Sequence, residues 1–122
     1  MTTVKYMIPF KEKYSFYERL RESLAIINKY NNKIPIICVK PTKVKVPNIS
    51  KTKFLVSRDL TVGQFIYIIR KFVDVNEGTA LFIFINDFIP PNSACISDIY
   101  NIHKEQDGFL YITYTIESTF GY

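Results

Sequence analysis

At 122 residues, with 48% hydrophobic and 16% aromatic side chains, the chain can form one domain with a substantial core, which excludes a disordered segment. No apolar run approaches the ~20 residues of a membrane-spanning helix, and Met1 to Phe10 lacks a secretory h-region, so an intracellular, soluble protein is expected. The net charge of +5 is unevenly placed: no acidic residue lies between Glu22 and Asp59, where Lys29, Lys33, Lys40, Lys43, Lys45, Lys51, Lys53 and Arg58 all fall, whereas from Asp74 to Asp107 the carboxylates of Asp74, Glu77, Asp87, Asp98, Glu105 and Asp107 meet Lys104 alone. The basic half is expected to attract an acidic partner.

Met1 to Tyr14 mixes Pro9 with charged residues and predicts an extension with at most a short helical turn. Ser15 stands three residues before Glu18 as a capping box, and Phe16, Leu20, Leu24 and Ile27 follow at helical spacing, predicting a helix to about Lys29 that Asn31 and Asn32 end. Ile34 to Val39 predicts a fully buried strand, with Pro35 confined to a strand start or an edge. Pro41 to Thr52 is expected to be a loop. Phe54, Leu55 and Val56 form a short strand flanked by Lys53, before Ser57, Arg58 and Asp59 break the pattern. A second capping box, Thr61 with Gln64, sets a helix start near Val62 whose apolar face is Val62, Phe65, Ile66, Ile69 and Val73, widened by Ile68 and Phe72. After a turn at Asn76 to Thr79, Ala80 to Ile85 is a continuous apolar strand expected at the centre of a sheet. A turn at Asn86 and Asp87, a strand stub at Phe88 and Ile89, and a short helix capped by Ser97 and running to about Lys104 come next. Phe109 to Tyr114 is the last strand, and 115–122 is expected to be a flexible tail.

Little here points to catalysis. His103 has no cysteine or carboxylate at metal-ligand spacing and is expected on the surface, and Cys38 and Cys95 sit in no CxxC, so no metal, cofactor or disulfide is expected. The four glycines form no phosphate-binding loop, and no nucleophile can be matched with a base, so an enzyme is not expected. Phe82 and Phe84 lie in an almost wholly apolar strand, where burial rather than stacking on nucleic acid is expected. The order helix, strand, strand, helix, strand, short helix, strand is α+β, and a hairpin, a crossover helix and a returning strand give a ubiquitin-like β-grasp with a mixed four-stranded sheet and an added N-terminal helical extension over 1–29, all in one domain of 1–122.

Six motifs in order, KFLV, DLTVGQF with IIRK, ALFIFIN, IPP followed by a serine, FLYITY, and ES-aromatic-Gly near the C-terminus, make the chain resemble the autophagy ubiquitin-like modifiers, the family of the GABA-receptor-associated protein and microtubule-associated light chain three. The resemblance spans about Phe16 to Gly121. It implies a ubiquitin core with two N-terminal helices, removal of Tyr122 by a processing cysteine protease, and conjugation of Gly121 to phosphatidylethanolamine on autophagosomal membranes by activating and conjugating enzymes. Cytoplasmic and membrane-linked forms are then expected, with autophagy receptors as partners and no nucleic acid. It also implies two pockets for an aromatic-x-x-aliphatic peptide motif: Glu22, Ile26, Pro35, Ile37, Lys53, Leu55 and Phe109 for the aromatic side chain, and Phe54, Val56, Leu60, Phe65 and Ile68 for the aliphatic one. Lys33, Lys51 and Lys53 would attract acidic flanking residues. An unconjugated binding module for peptides or cytoskeleton is the alternative. The chain departs from the family pattern at Asn31 and Ser57, where proline is usual, at Val39 and Phe72, and at Gly108, where an acidic or bulky residue is usual.

Overall fold

A computed structural model describes residues 8–42 and 45–117. Its elements are α1 (Pro9–Lys13), α2 (Phe16–Lys29), β1 (Lys33–Val39), β2 (Lys53–Ser57), α3 (Val62–Arg70), β3 (Ala80–Phe84), α4 (Ile96–His103) and β4 (Leu110–Glu117). One sheet runs in the order β2-β1-β4-β3, with β1 parallel to β4 and the other pairs antiparallel. This is the expected α+β β-grasp.

The side-chain alternation of a strand assigns each helix pair its own face of the sheet. Ile34, Ile36 and Cys38 of β1, Phe54 and Val56 of β2, and Leu110, Ile112 and Tyr114 of β4 pack with Val62, Phe65 and Ile69 of α3 and with Ile96, Ile99 and Tyr100 of α4. The opposite face carries Ile37, Val39, Phe109 and Tyr111, covered by Ile8, Phe10 and Ile26 from the N-terminal region. Coverage on both faces explains why β1 reads as an unbroken apolar run. Cys38 donates its amide to the Thr52 carbonyl at 2.7 Å and Arg58 donates to Asn32 at 3.0 Å, so the even-numbered residues of β1 bond toward β2. Pro35, lacking an N–H, therefore turns that side away from β2, just ahead of Ile36, where the parallel ladder with β4 begins.

Both capping boxes form. The Ser15 hydroxyl accepts the Glu18 amide at 3.2 Å while Glu18 accepts the Ser15 amide at 2.8 Å, and Thr61 and Gln64 make the same exchange at 3.1 and 2.9 Å.

Several expectations are corrected. The apolar run at 80–85 is not central: β3 is an edge strand paired with β4 alone, and only Leu81 and Ile83 of the strand proper are buried. Phe82 and Phe84 are half-buried, because their side of this edge lies beyond the reach of the N-terminal helices. The packed side of α2 is not the Phe16–Leu24 stripe, since Phe16 and Leu24 are exposed and Ser23 is the buried residue. A small side chain there lets the helix lie against the Asp107–Gly108 backbone, and the Ser23 hydroxyl donates to the Asp107 carbonyl. Helix α4 starts at Ile96 with Cys95 at its N-cap and no side-chain cap, rather than at Ser97. Its entry is fixed instead by the Ile96 amide donating to the Leu60 carbonyl at 2.8 Å. Phe88 forms only a bridge to Ile85 around Asn86, which has φ of 55°. Strand β4 continues to Glu117, opposite Ala80, so Thr115 to Glu117 belong to the sheet and not to the tail. His103 is half-buried and stacks on the Phe88 ring at 5.1 Å.

Candidate functional site

Strand β2 is the other edge of the sheet, so among the described residues no strand pairs with the outer side of its backbone. Because its side chains alternate, Lys53 and Leu55 face α2 while Phe54 and Val56 face α3, and the two expected pockets lie on opposite faces of one edge strand.

On the α2 side, Ile37 and Phe109 form a buried floor with Pro35, Ile26 is half-buried, and Leu55 stands 39% exposed at the rim. The Lys53 ammonium forms an ion pair with the Glu22 carboxylate, joining the edge strand to α2. The same ammonium lies 5.4 Å from the centre of the Phe10 ring, and Phe10 meets Phe109 edge-to-face at 5.0 Å. Phe10 is therefore part of this wall although the sequence reading did not single it out: α1 is one turn long, opened by Pro9, and offers no periodicity to read.

Behind this wall Asp107, only 1% exposed, accepts from the Arg19 guanidinium at 3.0 Å, from the Tyr111 hydroxyl, and from the Phe109 amide at 3.0 Å. Three partners satisfy a buried carboxylate that would otherwise be costly, and they fix Phe109 against α2. Burial, and after it the hydrogen bond to Asp107, pushes the Tyr111 hydroxyl well above the ordinary phenol range. Lys11 pairs with Glu105 and lies 4.4 Å over the Tyr111 ring, tying α1 to the same corner.

On the α3 side, Phe54, Val56 and Phe65 are buried to 5% exposure or less and form a floor, with Leu60 and Ile68 half-buried at the rim. Phe72 closes one end: its ring meets Phe54 at 5.4 Å, and Lys51 lies over both rings at 5.3 and 5.4 Å. The three lysines expected to attract acidic flanks are thus separated. Lys53 belongs to the α2 side, Lys51 to the α3 side, and Lys33 pairs with Ser57 at the far end of β2, roughly 13 Å along the strand from Lys53.

Elsewhere, Cys38 is fully buried, and burial pushes its thiol up to about 12. The Cys95 thiol is lowered, mainly by its hydrogen bond to the Ser97 side chain. Among the described residues no group of three or more His, Cys, Asp or Glu side chains is placed to hold a metal. Gly121 and Tyr122 lie outside the described residues.

The model of the family described as "Autophagy protein Atg8 ubiquitin like" matches residues 18–121. The autophagy-related protein 8 of Candida glabrata is 50% identical over 113 residues, covering 93% of this chain and 96% of the relative. That of Saccharomyces cerevisiae is 51% identical over 112 residues, covering 92% and 96%. Among solved structures, Trypanosoma brucei ATG8 superposes with a TM-score of 0.86 at 38% identity over 94% of this chain and 99% of its own. Plasmodium falciparum Atg8 in complex with a P. falciparum Atg3 peptide gives 0.81 at 30% identity, over 92% and 98%. With the β-grasp sheet, the open edge strand and this similarity over nearly the whole chain, the protein belongs to the Atg8 family of ubiquitin-like autophagy proteins.

Proposed function

We propose that the chain is a ubiquitin-like modifier that loses Tyr122, is joined through Gly121 to phosphatidylethanolamine on autophagosomal membranes, and recruits proteins bearing an acidic-flanked aromatic-x-x-aliphatic motif. The observation that carries the recruiting role is one unpaired edge strand, β2, with an apolar pocket on each face. An extended partner segment can add to such an edge through main-chain hydrogen bonds while alternate side chains enter the two pockets. Each anchor contributes roughly 1.5–3 kcal/mol by burial, so two supply about 3–6 kcal/mol of the ~8 kcal/mol of a micromolar complex, and the main-chain hydrogen bonds and charged flanks supply the rest and offset ordering costs. The relative solved with an Atg3 peptide supports short peptides as ligands, the conjugating enzyme among them.

Glycine suits the processing chemistry. Without a Cβ it leaves the Gly121 carbonyl open to a protease cysteine, which expels Tyr122 and is then released by water; the freed carboxylate, activated by adenylation with a nucleoside triphosphate, passes to an enzyme cysteine as a thioester with loss of the nucleotide, and the lipid amine displaces that thiol to form the amide. Two acyl chains hold a soluble domain at a membrane, since each buried methylene contributes about 0.8 kcal/mol and a single chain anchors only marginally. A cytoplasmic precursor and an autophagosome-bound form follow. Partners are a processing cysteine protease, the activating and conjugating enzymes, and autophagy receptors.

Calorimetry with an acidic-flanked aromatic-x-x-aliphatic peptide tests recruitment: binding should be about micromolar, weaken modestly with salt, and be lost in the Lys53→Ala, Leu55→Ala double variant. Binding indifferent to both changes would remove the mechanism. Mass spectrometry of membrane fractions from starved cells tests conjugation. The lipid-linked form should lack Tyr122 and be absent in Gly121→Ala.

A further inference from the structure

Helix α2 covers the face of the sheet that carries Ile37 and Phe109, and α4 packs on the opposite face. Tyr17 of α2 and Ile102 of α4 are the two most exposed large apolar side chains among the described residues, each 73% exposed, and they stand in patches of opposite charge. On α2, Tyr17, Arg21 and Leu24 follow at spacings of four and three, so they form one exposed line along the helix. The carboxylates of this helix are engaged elsewhere, Glu18 with the Ser15 amide and Glu22 with Lys53, while Arg21 makes no ion pair among the described residues. On α4, Asp98 stands one turn before Ile102 on the same line. Ile85 and Phe88 exchange both main-chain hydrogen bonds at 2.9 Å, so their side chains emerge on one face of the sheet, that of α4, where the Phe88 ring stacks on His103. Phe88 and Ile89 are exposed there, and Asp87 and Asp98 are exposed carboxylates in no ion pair among the described residues. The adjoining cation, Lys104, is turned onto the Tyr100 ring at 5.5 Å.

We propose that these patches are the two halves of one interface and that the partner of each is a second copy of this chain: Tyr17 and Leu24 of one copy dock on Phe88, Ile89 and Ile102 of the next, with the Arg21 guanidinium drawn to Asp87 and Asp98. Each patch matches the other in apolar character and opposes it in charge, whereas either patch against itself would bring like charges together, so the contact is heterologous rather than two-fold. Because the halves lie on opposite faces of the sheet, a copy can use both at once, and association runs head to tail beyond the dimer. The net charge of +5 opposes approach at long range, but screening over about 8 Å at physiological ionic strength leaves the local match to decide. A few side chains from each copy bury less than the ~1,000 Å² of a stable interface, which makes the contact weak.

Sedimentation equilibrium of the full chain tests this. The weight-average mass should rise with concentration across roughly 0.1–1 mM and pass that of two chains. Two paired variants at exposed positions, Tyr17→Ser with Leu24→Ser and Ile89→Ser with Ile102→Ser, should each stay at the monomer mass while unfolding at the parent's temperature. A 1:1 mixture of the two variants should associate and stop at the dimer, since each brings one intact half. A parent that stays monomeric over that range overturns the proposal and leaves the two patches to unlike partners. Assembly of the parent that stops at a dimer, assembly that survives either pair of substitutions, or a mixture that stays monomeric also overturns it.

Discussion

Gly108 has φ of +88°, and a Cβ there would lie 2.2 Å from the Ser23 hydroxyl oxygen and 2.9 Å from its Cβ. Both the backbone conformation and the approach of α2 demand glycine. Gly108→Ala should cost about 3 kcal/mol, read as a lower urea midpoint with an unchanged slope, and Ser23→Gly in the same background should recover only the part due to the contact. The departure from the family pattern at this position is thus a packing feature, and nothing in the residues around Gly108 points to its partner Ser23, 85 positions away. The two thiols should separate by burial. A thiol reagent added to the native chain should modify Cys95 promptly and Cys38 only on unfolding, counted by intact mass. Cys38 also predicts a pH effect: burial pushes its thiol up from the ordinary 9.0 to about 12, so the folded state holds that proton more tightly. Its contribution is complete below pH 9 and is lost as pH rises from 9 toward 12. Tyr114, raised by burial from 10.0 to about 12, adds to the upper part of that fall. Denaturant midpoints from pH 8.5 to 11 should decline, and less steeply in Cys38→Ala.

The elements most legible in the sequence are those whose local chemistry is self-sufficient. Both capping boxes are complete within four residues, and both helices start where Ser15 and Thr61 place them. Thr61→Ala should cost about 1 kcal/mol in chemical denaturation because it orphans the Gln64 amide, and Ser15→Ala should cost a similar amount. The face that a helix presents is less legible. Helix α3 buries Val62, Phe65 and Ile69 as its periodicity requires, whereas α2 turns Leu24 to solvent, 50% exposed, because Ser23 must meet the Asp107 carbonyl. The start of α4 was missed for the same reason: a tertiary hydrogen bond to Leu60, rather than the hydroxyl of Ser97, sets it.

Across the whole molecule, the Asp107 cluster joins α2 through Arg19 to both Phe109 and Tyr111 of the sheet. Asp107→Ala should cost about 3–5 kcal/mol, since it strands a largely buried guanidinium, and should weaken peptide binding by displacing Phe109; thermal unfolding and calorimetry on one preparation check both effects. A variant as stable as the parent would show that the cluster does not hold the sheet to α2. The candidate site was legible only through motifs: Lys53, Leu55, Phe54 and Val56 read as an apolar strand flanked by a cation, and nothing in their order says that the strand is an edge. Apolar runs at 34–39 and 80–85 look alike, yet β1 lies between two strands under helices on both faces, while β3 is an edge. Local composition, periodicity and capping determined which segments are helix and strand, the α+β class and the uneven charge, because those depend on neighbours within a few residues. Strand order, the seating of Phe10 on Phe109, and the separation of Lys33, Lys51 and Lys53 were decided only by the tertiary structure, because each depends on which distant segments bury their apolar faces against one another.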